Sequence, residues 1–300
     1  MPLVNILAIL YGRSKVGKTL ATLRAFPTGL FIAPRGALHC SSWLGWEPTS
    51  LEAGDKVGIP EITQVLKKKH TEFPAIIVDD LSILADQHLA MCKARYSGWS
   101  AFDVFNKDVY ALRDAARAAS CHVLLTMHEQ SPKEVKKPGQ KRMLPGSPLI
   151  PGWQLPEKLP ALADVVARVV HQPDTTGWPY VYQVGPDEDY ITGDRLSIFP
   201  EFFPLNLREA MLETGYDLPR PKELEWMEAA AEALSSGILE EMGKKTPAIK
   251  AYLHKALPSL RKRASDPRHI RWAIADALDR AQLRKHRANL VDDYVASITI

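Results

Sequence analysis

Cysteine is scarce in this 300-residue chain. Its three cysteines, Cys40, Cys92 and Cys121, are odd in number and widely spaced. They include no C-x-x-C pair, and the only histidines beside them are the adjacent His39 and His122, which argues against a disulfide framework or a zinc cluster. Long apolar runs are missing too: no stretch reaches eighteen residues. The N-terminus has no basic, apolar and small-residue leader, so the expected location is the cytoplasm, with no membrane partner. A formal net charge of only +3 gives no overall case for a polyanionic partner. Internal repeats and low-complexity tracts are absent as well. What is present, 46% hydrophobic and 24% charged residues, suits a soluble globular protein with one sizeable α/β core and a smaller appendage.

Charge is unevenly placed. Between Lys244 and Arg287 there are thirteen Lys or Arg against three Asp, so the C-terminal end is basic. Along the chain, residues 3–10 read as a buried strand, 18–26 as a helix and 29–34 as a second strand. Residues 35–60 read as an irregular excursion, with a helix over 60–70. "PAIIVDDLS" (74–82) is a strand buried on both faces and ending in two carboxylates. An amphipathic helix follows over 102–119, and "HVLLTMHE" (122–129) is the next buried strand. This alternation predicts a mainly parallel sheet with helices on both faces. Residues 131–160, with seven prolines, read as a long polar loop, and "ADVVARVVHQ" and "YVYQVGP" as an antiparallel hairpin closing the sheet. A boundary is expected near residue 217, giving a core over 1–216 and a basic helical domain over 217–300.

"GRSKVGKT" (12–19) carries the most specific chemistry. Its spacing is that of a phosphate-binding P-loop, G-x-x-x-x-G-K-[ST], set between a strand and a helix. Gly12, Arg13, Ser14, Lys15, Val16, Gly17, Lys18, Thr19 and Leu20 would cradle a polyphosphate, with ATP as the expected nucleotide. Lys18 would meet the β- and γ-phosphates, and Thr19 would offer a hydroxyl to Mg²⁺. A second oxygen donor comes from Asp79, the Walker B residue, and Asp80 is a candidate to polarise the attacking water. The plain alternative for the carboxylate pair is to cap the next helix.

The order "YGRSKVGKT", "LFIAPRG", "AIIVDDLS", "VLLTMHEQ", "LADVVARVV" and "YITGDR", over roughly residues 3–215, resembles the RecA-like core P-loop ATPases of bacteriophages. This is an AAA-type group that includes single-strand annealing recombinases related to RecA. The resemblance implies that the strand ending at His128 lies between the P-loop and Walker B strands, so that His128 faces the γ-phosphate as a sensor; a histidine capping a strand end is the alternative. It implies a catalytic Glu just after the second strand, where this sequence has Arg35. Asp80 or Glu129 would then serve instead, or hydrolysis is slow. An arginine supplied to a neighbouring subunit, Arg195 or Arg168, would complete the site in a ring or filament. The loop after the sensor strand would contact single-stranded DNA through Lys133, Lys136, Lys137, Lys141 and Arg142, or be a solvated loop with no partner.

The basic C-terminal stretches "SLRKRASDPRHIRW" and "RAQLRKHRANL" could bind DNA, dock a neighbouring subunit or form a solvated face. Trp272 and Tyr252 could stack on bases or belong to a core. Together these features give an expected ATPase acting on single-stranded DNA in phage recombination, annealing, repair or replication. A single-strand DNA-binding protein is a further expected partner, and the setting is the cytoplasm of an infected bacterial host. A slow nucleotide switch used in loading or assembly is the alternative. A small-molecule P-loop kinase fits less well, because the Walker B strand comes about sixty residues after the P-loop with another strand between.

Overall fold

The run LAILYG forms β1 (Leu7–Gly12), with every residue buried, and a continuous apolar strand of this kind needs cover on both faces. The computed structural model describes residues 5–41, 48–54, 57–137, 140–152, 154–172, 179–218, 222–241, 246–264 and 267–281; of 135–137, 140–142, 241, 246, 267, 268, 275, 279 and 280 it describes the backbone alone. Two compact units emerge: residues 1–38, 48–172 and 180–219, and residues 39–47, 173–179 and 220–300.

In the first unit β1 is followed by α1 (Lys18–Ala25), β2 (Leu30–Pro34), β3 (Thr49–Ala53), α2 (Ile59–Lys69) and β4 (Ala75–Val78). Next come α3 (Leu81–Arg95), α4 (Trp99–Arg117), β5 (His122–Gln130), β6 (Lys133–Lys137), β7 (Gln140–Leu144), β8 (Ser147–Pro148) and α5 (Leu155–Lys158). The unit ends with β9 (Val165–His171), β10 (Tyr180–Gln183), β11 (Gly193–Asp194), β12 (Phe202–Pro204) and α6 (Leu207–Glu213). The main sheet runs β12-β10-β9-β1-β5-β4-β2-β3. From β9 to β3 every pairing is parallel, and β10 and β12 close one edge antiparallel. This is an α/β P-loop NTPase fold. β5 lies between β1 and β4, the order that the resemblance implies.

Strand periodicity divides the core between two layers. Leu7, Ile9 and Tyr11 join a cluster with Ile62 and Leu66 of α2, Leu84 of α3, and Phe105 and Leu112 of α4. Ala8 and Leu10 face the other way, with Phe26 at the end of α1 and Leu207 and Met211 of α6. Helices therefore cover both sides.

Three stretches differ from the sequence expectation. The excursion over 35–60 contains β3, a short, mostly exposed edge strand whose residues TSLEA carry little apolar signal. Residues 81–95 form a helix that periodicity did not reveal, since buried Leu84, Ala85 and Leu89 are interspersed with an exposed Ile83. The expected loop over 131–160 holds the β6–β7 hairpin, β8 and α5. In that hairpin Lys136 pairs with Lys141 and Val135 with Arg142 in the backbone register.

The second unit contains α7 (Lys222–Glu241), α8 (Thr246–Arg263) and α9 (Pro267–Arg280). Leu224, Met227, Leu234 and Ile238 of α7 are buried, as are Leu253 and Leu257 of α8 and Ile274 and Leu278 of α9. Trp272 is buried and Tyr252 half-buried, so Trp272 takes the core alternative. Most of "RAQLRKHRANL" lies outside the described residues, Arg284, Lys285 and Arg287 included. No helix among the described residues is long and apolar enough to cross a membrane.

His122 makes the first unit sensitive to acid. It is buried between Phe26 and Tyr216, with ring centroids 5.4 and 5.3 Å away, and its Nδ1 accepts the Ile6 N–H at 3.2 Å. That acceptor role needs a neutral ring, and burial pushes its pKa down from 6.5 to about 4. The unfolded chain therefore binds the proton more readily. Stability is expected to fall as pH drops from 6.5 to about 4, by about 3 kcal/mol at most. Urea unfolding across that window should show a smaller slope in His122→Asn, which keeps an acceptor but does not titrate.

Candidate nucleotide and metal site

The phosphate loop leaves the C-terminal end of β1. A side chain at Gly12 would put its Cβ 2.9 Å from Val169 Cβ on β9, so only glycine lets the two strands stay this close. Gly17 has φ 100°, a left-handed conformation that glycine adopts without strain, and α1 begins at the next residue. Lys15 also has positive φ, 64°, inside the turn. Arg13, Ser14 and Lys15 are exposed and Val16 is buried. The turn thus places its polar residues outward at the positive end of α1.

Lys18 is buried, and its ammonium donates to the carbonyls of Gly12 at 3.1 Å and Arg13 at 2.9 Å. Burial lowers its pKa, while the charges of Asp80, Asp79 and Glu129 act in the opposite direction. The residue after it reaches across the sheet: Thr19 Oγ1 donates to Asp79 Oδ2 at 2.8 Å. The other Asp79 oxygen accepts from Thr126 Oγ1 on β5. Asp79 is almost fully buried, and burial pushes its pKa up, against the two threonine hydrogen bonds.

The neighbouring carboxylate is held differently. Asp80 Oδ1 accepts the Ser82 N–H at 2.7 Å, capping α3, and Oδ2 lies 2.9 Å from His128 Nε2. Asp80 thus takes the helix-capping alternative and also holds a histidine. Burial raises its pKa, and the His128 charge is the largest opposing influence. Ser82 Oγ also accepts the His128 N–H at 2.9 Å and donates to the Leu149 carbonyl at 2.6 Å. The end of β5 is thereby fixed to the first turn of α3.

The remaining expected residues fall elsewhere. Glu129 is adjacent to His128 but is paired with Arg168: Arg168 Nε lies 2.8 Å from Glu129 Oε2, Nη1 lies 3.6 Å from Asp187 Oδ2, and the guanidinium stacks over Tyr190. Arg195 follows β11, which pairs with Val165 and Val166 at the start of β9, the end of the sheet opposite the phosphate loop. It donates to the Ala161 carbonyl at 2.5 Å. Arg35 is exposed in the turn after β2. Lys133 is exposed at the start of the hairpin. The side chains of Lys136, Lys137, Lys141 and Arg142 lie outside the described residues.

Two contributors were missed in the sequence. Thr126 had a signal, a polar residue inside an apolar strand and two positions before His128, hence on the same strand face. Ser82 had none beyond its place after the carboxylates. The donors near the loop fit a polyphosphate with a hard cation. A hydroxyl and a buried carboxylate offer adjacent oxygens of the kind Mg²⁺ prefers, with Lys18 beside them.

Residues 5–196 match the model of a family described as an AAA domain, which is more than half of the chain, and the chain belongs to that family. No curated protein matches its sequence. Among solved structures, a crystal structure of the RadB recombinase aligns with a TM-score of 0.36 at 12% identity, covering 59% of this chain and 79% of that one.

Thr126 is expected to act on Asp79 alone. In Thr126→Val the Mg²⁺ concentration for half-maximal binding of a fluorescent ATP analogue should rise by about 10- to 100-fold, the usual effect of removing a partner that orients a metal ligand. Analogue binding without Mg²⁺ should change little.

Proposed function

We propose that this AAA-family chain binds Mg²⁺-ATP and hydrolyses it as a RecA-like ATPase acting on single-stranded DNA in bacteriophage recombination, annealing, repair or replication. The core over 1–216 would carry the chemistry and assemble as a ring or filament, with the helical domain over 217–300 attached. The observation that carries this reading is the hydrogen-bonded chain Thr19–Asp79–Thr126 beside the Asp80–His128 pair, all at the C-terminal ends of adjacent parallel strands.

In this reading Lys18 and the loop N–H groups bind the phosphates, exchanging the two loop carbonyls for phosphate oxygens. Thr19 and Asp79 would hold Mg²⁺, which neutralises charge on the phosphate oxygens. Both Asp80 oxygens already have partners, so the pair acts together: Asp80 fixes the His128 ring, and the part-exposed imidazole orients water or donates to phosphate. Glu129 is committed to Arg168, which leaves Asp80–His128 the better base. Arg195 lies at the far end of the sheet from its own phosphate loop, and in an assembly it would serve a neighbour's site.

DNA contact is proposed for the β6–β7 hairpin, which carries five Lys or Arg and leaves the strand that bears His128. The slow-switch alternative draws on Arg35, a cation at the position where the resemblance implies a catalytic carboxylate.

Turnover of Mg²⁺-ATP, measured alone and with single-stranded or duplex DNA, separates these readings, with Lys18→Ala as the blank. Stimulation by single-stranded DNA is expected, together with a loss of about 10²-fold or more in both Asp80→Asn and His128→Ala. ATP binding without turnover in any condition would instead support the switch.

The hairpin is tested separately by the salt dependence of single-strand binding. Replacing Lys136, Lys137 and Lys141 with alanine should reduce the slope of log K against log salt by about 2, near 0.7 for each lost phosphate contact. An unchanged slope would exclude it.

A further inference from the structure

Away from the phosphate loop, three side chains of different donor chemistry meet between α3 and α4. His88 and Cys92 are four residues apart on α3 and so share one face of it, and Asp108 comes from α4. His88 Nε2 lies 2.8 Å from Asp108 Oδ2 and 3.7 Å from Cys92 Sγ. All three donor atoms lie within 4.8 Å of one another. The oxygen and the sulfur approach the same ring nitrogen, which has one proton or one lone pair to offer, so hydrogen bonding satisfies only one of them. The ring's other nitrogen, Nδ1, is buried with no hydrogen-bond partner among the described residues, while the ring packs against Phe105 with centroids 6.0 Å apart.

We propose that His88 Nε2, Cys92 Sγ and an Asp108 carboxylate oxygen form a binding site for a divalent transition-metal ion of the zinc type, with water as the fourth ligand. The spacing is close to what such an ion needs. Tetrahedral zinc with ordinary bond lengths sets nitrogen and sulfur about 3.6 Å apart and nitrogen and oxygen about 3.4 Å apart. The sulfur already satisfies this, and the carboxylate has to swing out by about half an ångström. His88 and Cys92 are buried, whereas the Asp108 side chain is 28% exposed and can make that movement and admit water. On binding, the Cys92 thiol gives its proton to solvent and the sulfur–metal bond forms. The thiolate and the carboxylate together balance the two charges of the ion. A sulfur–nitrogen–oxygen set selects against Mg²⁺, so this site is chemically distinct from Thr19 and Asp79. The bound ion would staple α3, whose first turn is capped by Asp80, to α4. The spacing is readable in the sequence as His-x-x-x-Cys, but Asp108, the third ligand, is sixteen residues further on and carries no local signal.

Titration of the purified protein with Co²⁺, without nucleotide, tests the site. A thiolate-to-cobalt charge-transfer band in the near ultraviolet and strong visible bands of a four-coordinate ion are expected, both abolished by excess Zn²⁺. They should vanish in Cys92→Ser, persist in Cys40→Ser and Cys121→Ser, and require at least about tenfold more Co²⁺ in Asp108→Asn. Zn²⁺ should also raise the Tm of the native protein and of Lys18→Ala alike, with reversal by a chelator. The absence of a thiolate band in the folded native protein overturns the site, and so does a band retained in Cys92→Ser. If Cys92→Ser does not fold, an unchanged Co²⁺ requirement in Asp108→Asn overturns it.

Discussion

A carboxylate almost fully withdrawn from water at the end of a β-strand is the constraint around which the core is arranged. Asp79 is 3% exposed, and a buried charge without partners is far more costly than any single contact in the sheet returns. Its two oxygens are met by hydroxyls from two directions, Thr19 from the start of α1 and Thr126 from β5. Those hydroxyls reach one carboxylate because β5 lies between β1 and β4. Inserting another strand would move Thr19 about 5 Å away, the spacing between neighbouring strands, and leave Asp79 partnered on one side only. The strand order and the polar site are thus one requirement, and the left-handed turn at Gly17 serves it by starting α1 where Thr19 faces the carboxylate.

How much of this can be read from the chain alone follows from how local each signal is. The P-loop is legible because its chemistry is compressed into eight residues, and β4 and β5 because apolar β-branched runs ending in polar groups mark buried parallel strands. β3 is hidden because an exposed edge strand needs no apolar face. α3 is hidden because its apolar residues are not confined to one clear stripe. The pairing of Arg168 with Glu129 joins residues 39 apart on strands either side of β1, and no periodicity encodes that. His88 and Asp108 are closer in sequence, but only the packing of α3 against α4 brings them together.

Alternation along β5 gives its two polar terminal residues different roles. His128 and Glu129 point to opposite faces of the strand. His128 meets Asp80 on the β4 side. Glu129 meets Arg168 of β9 across β1, on the face that carries Tyr11. A side chain at Gly12 would point to the opposite face, into Val169 of β9, so its glycine answers to the sheet as well as to the phosphate loop.

The same ion pair also constrains the hairpin. Arg168 stacks on Tyr190, and the segment around Tyr190 is tied to Gly146, just before β8: Gly146 N–H donates to the Asp189 carbonyl at 2.6 Å, and Ile191 N–H to the Gly146 carbonyl at 2.8 Å. A Cβ on Gly146 would fall 2.3 Å from the Tyr190 ring, so the contact is close enough to admit only glycine. On its other side β8 pairs with Glu129 and Gln130, and Leu149 N–H donates to the His128 carbonyl at 2.8 Å. The segment that returns from the hairpin is therefore gripped by the two residues whose side chains form the Asp80 and Arg168 pairs. A displacement of that segment has to be absorbed by the end of β5 or by the Tyr190 contact, and the first of these carries His128. Physical linkage between the hairpin and the phosphate end of the sheet thus needs no long relay, because the hydrogen bonds that anchor one belong to the backbone that positions the other.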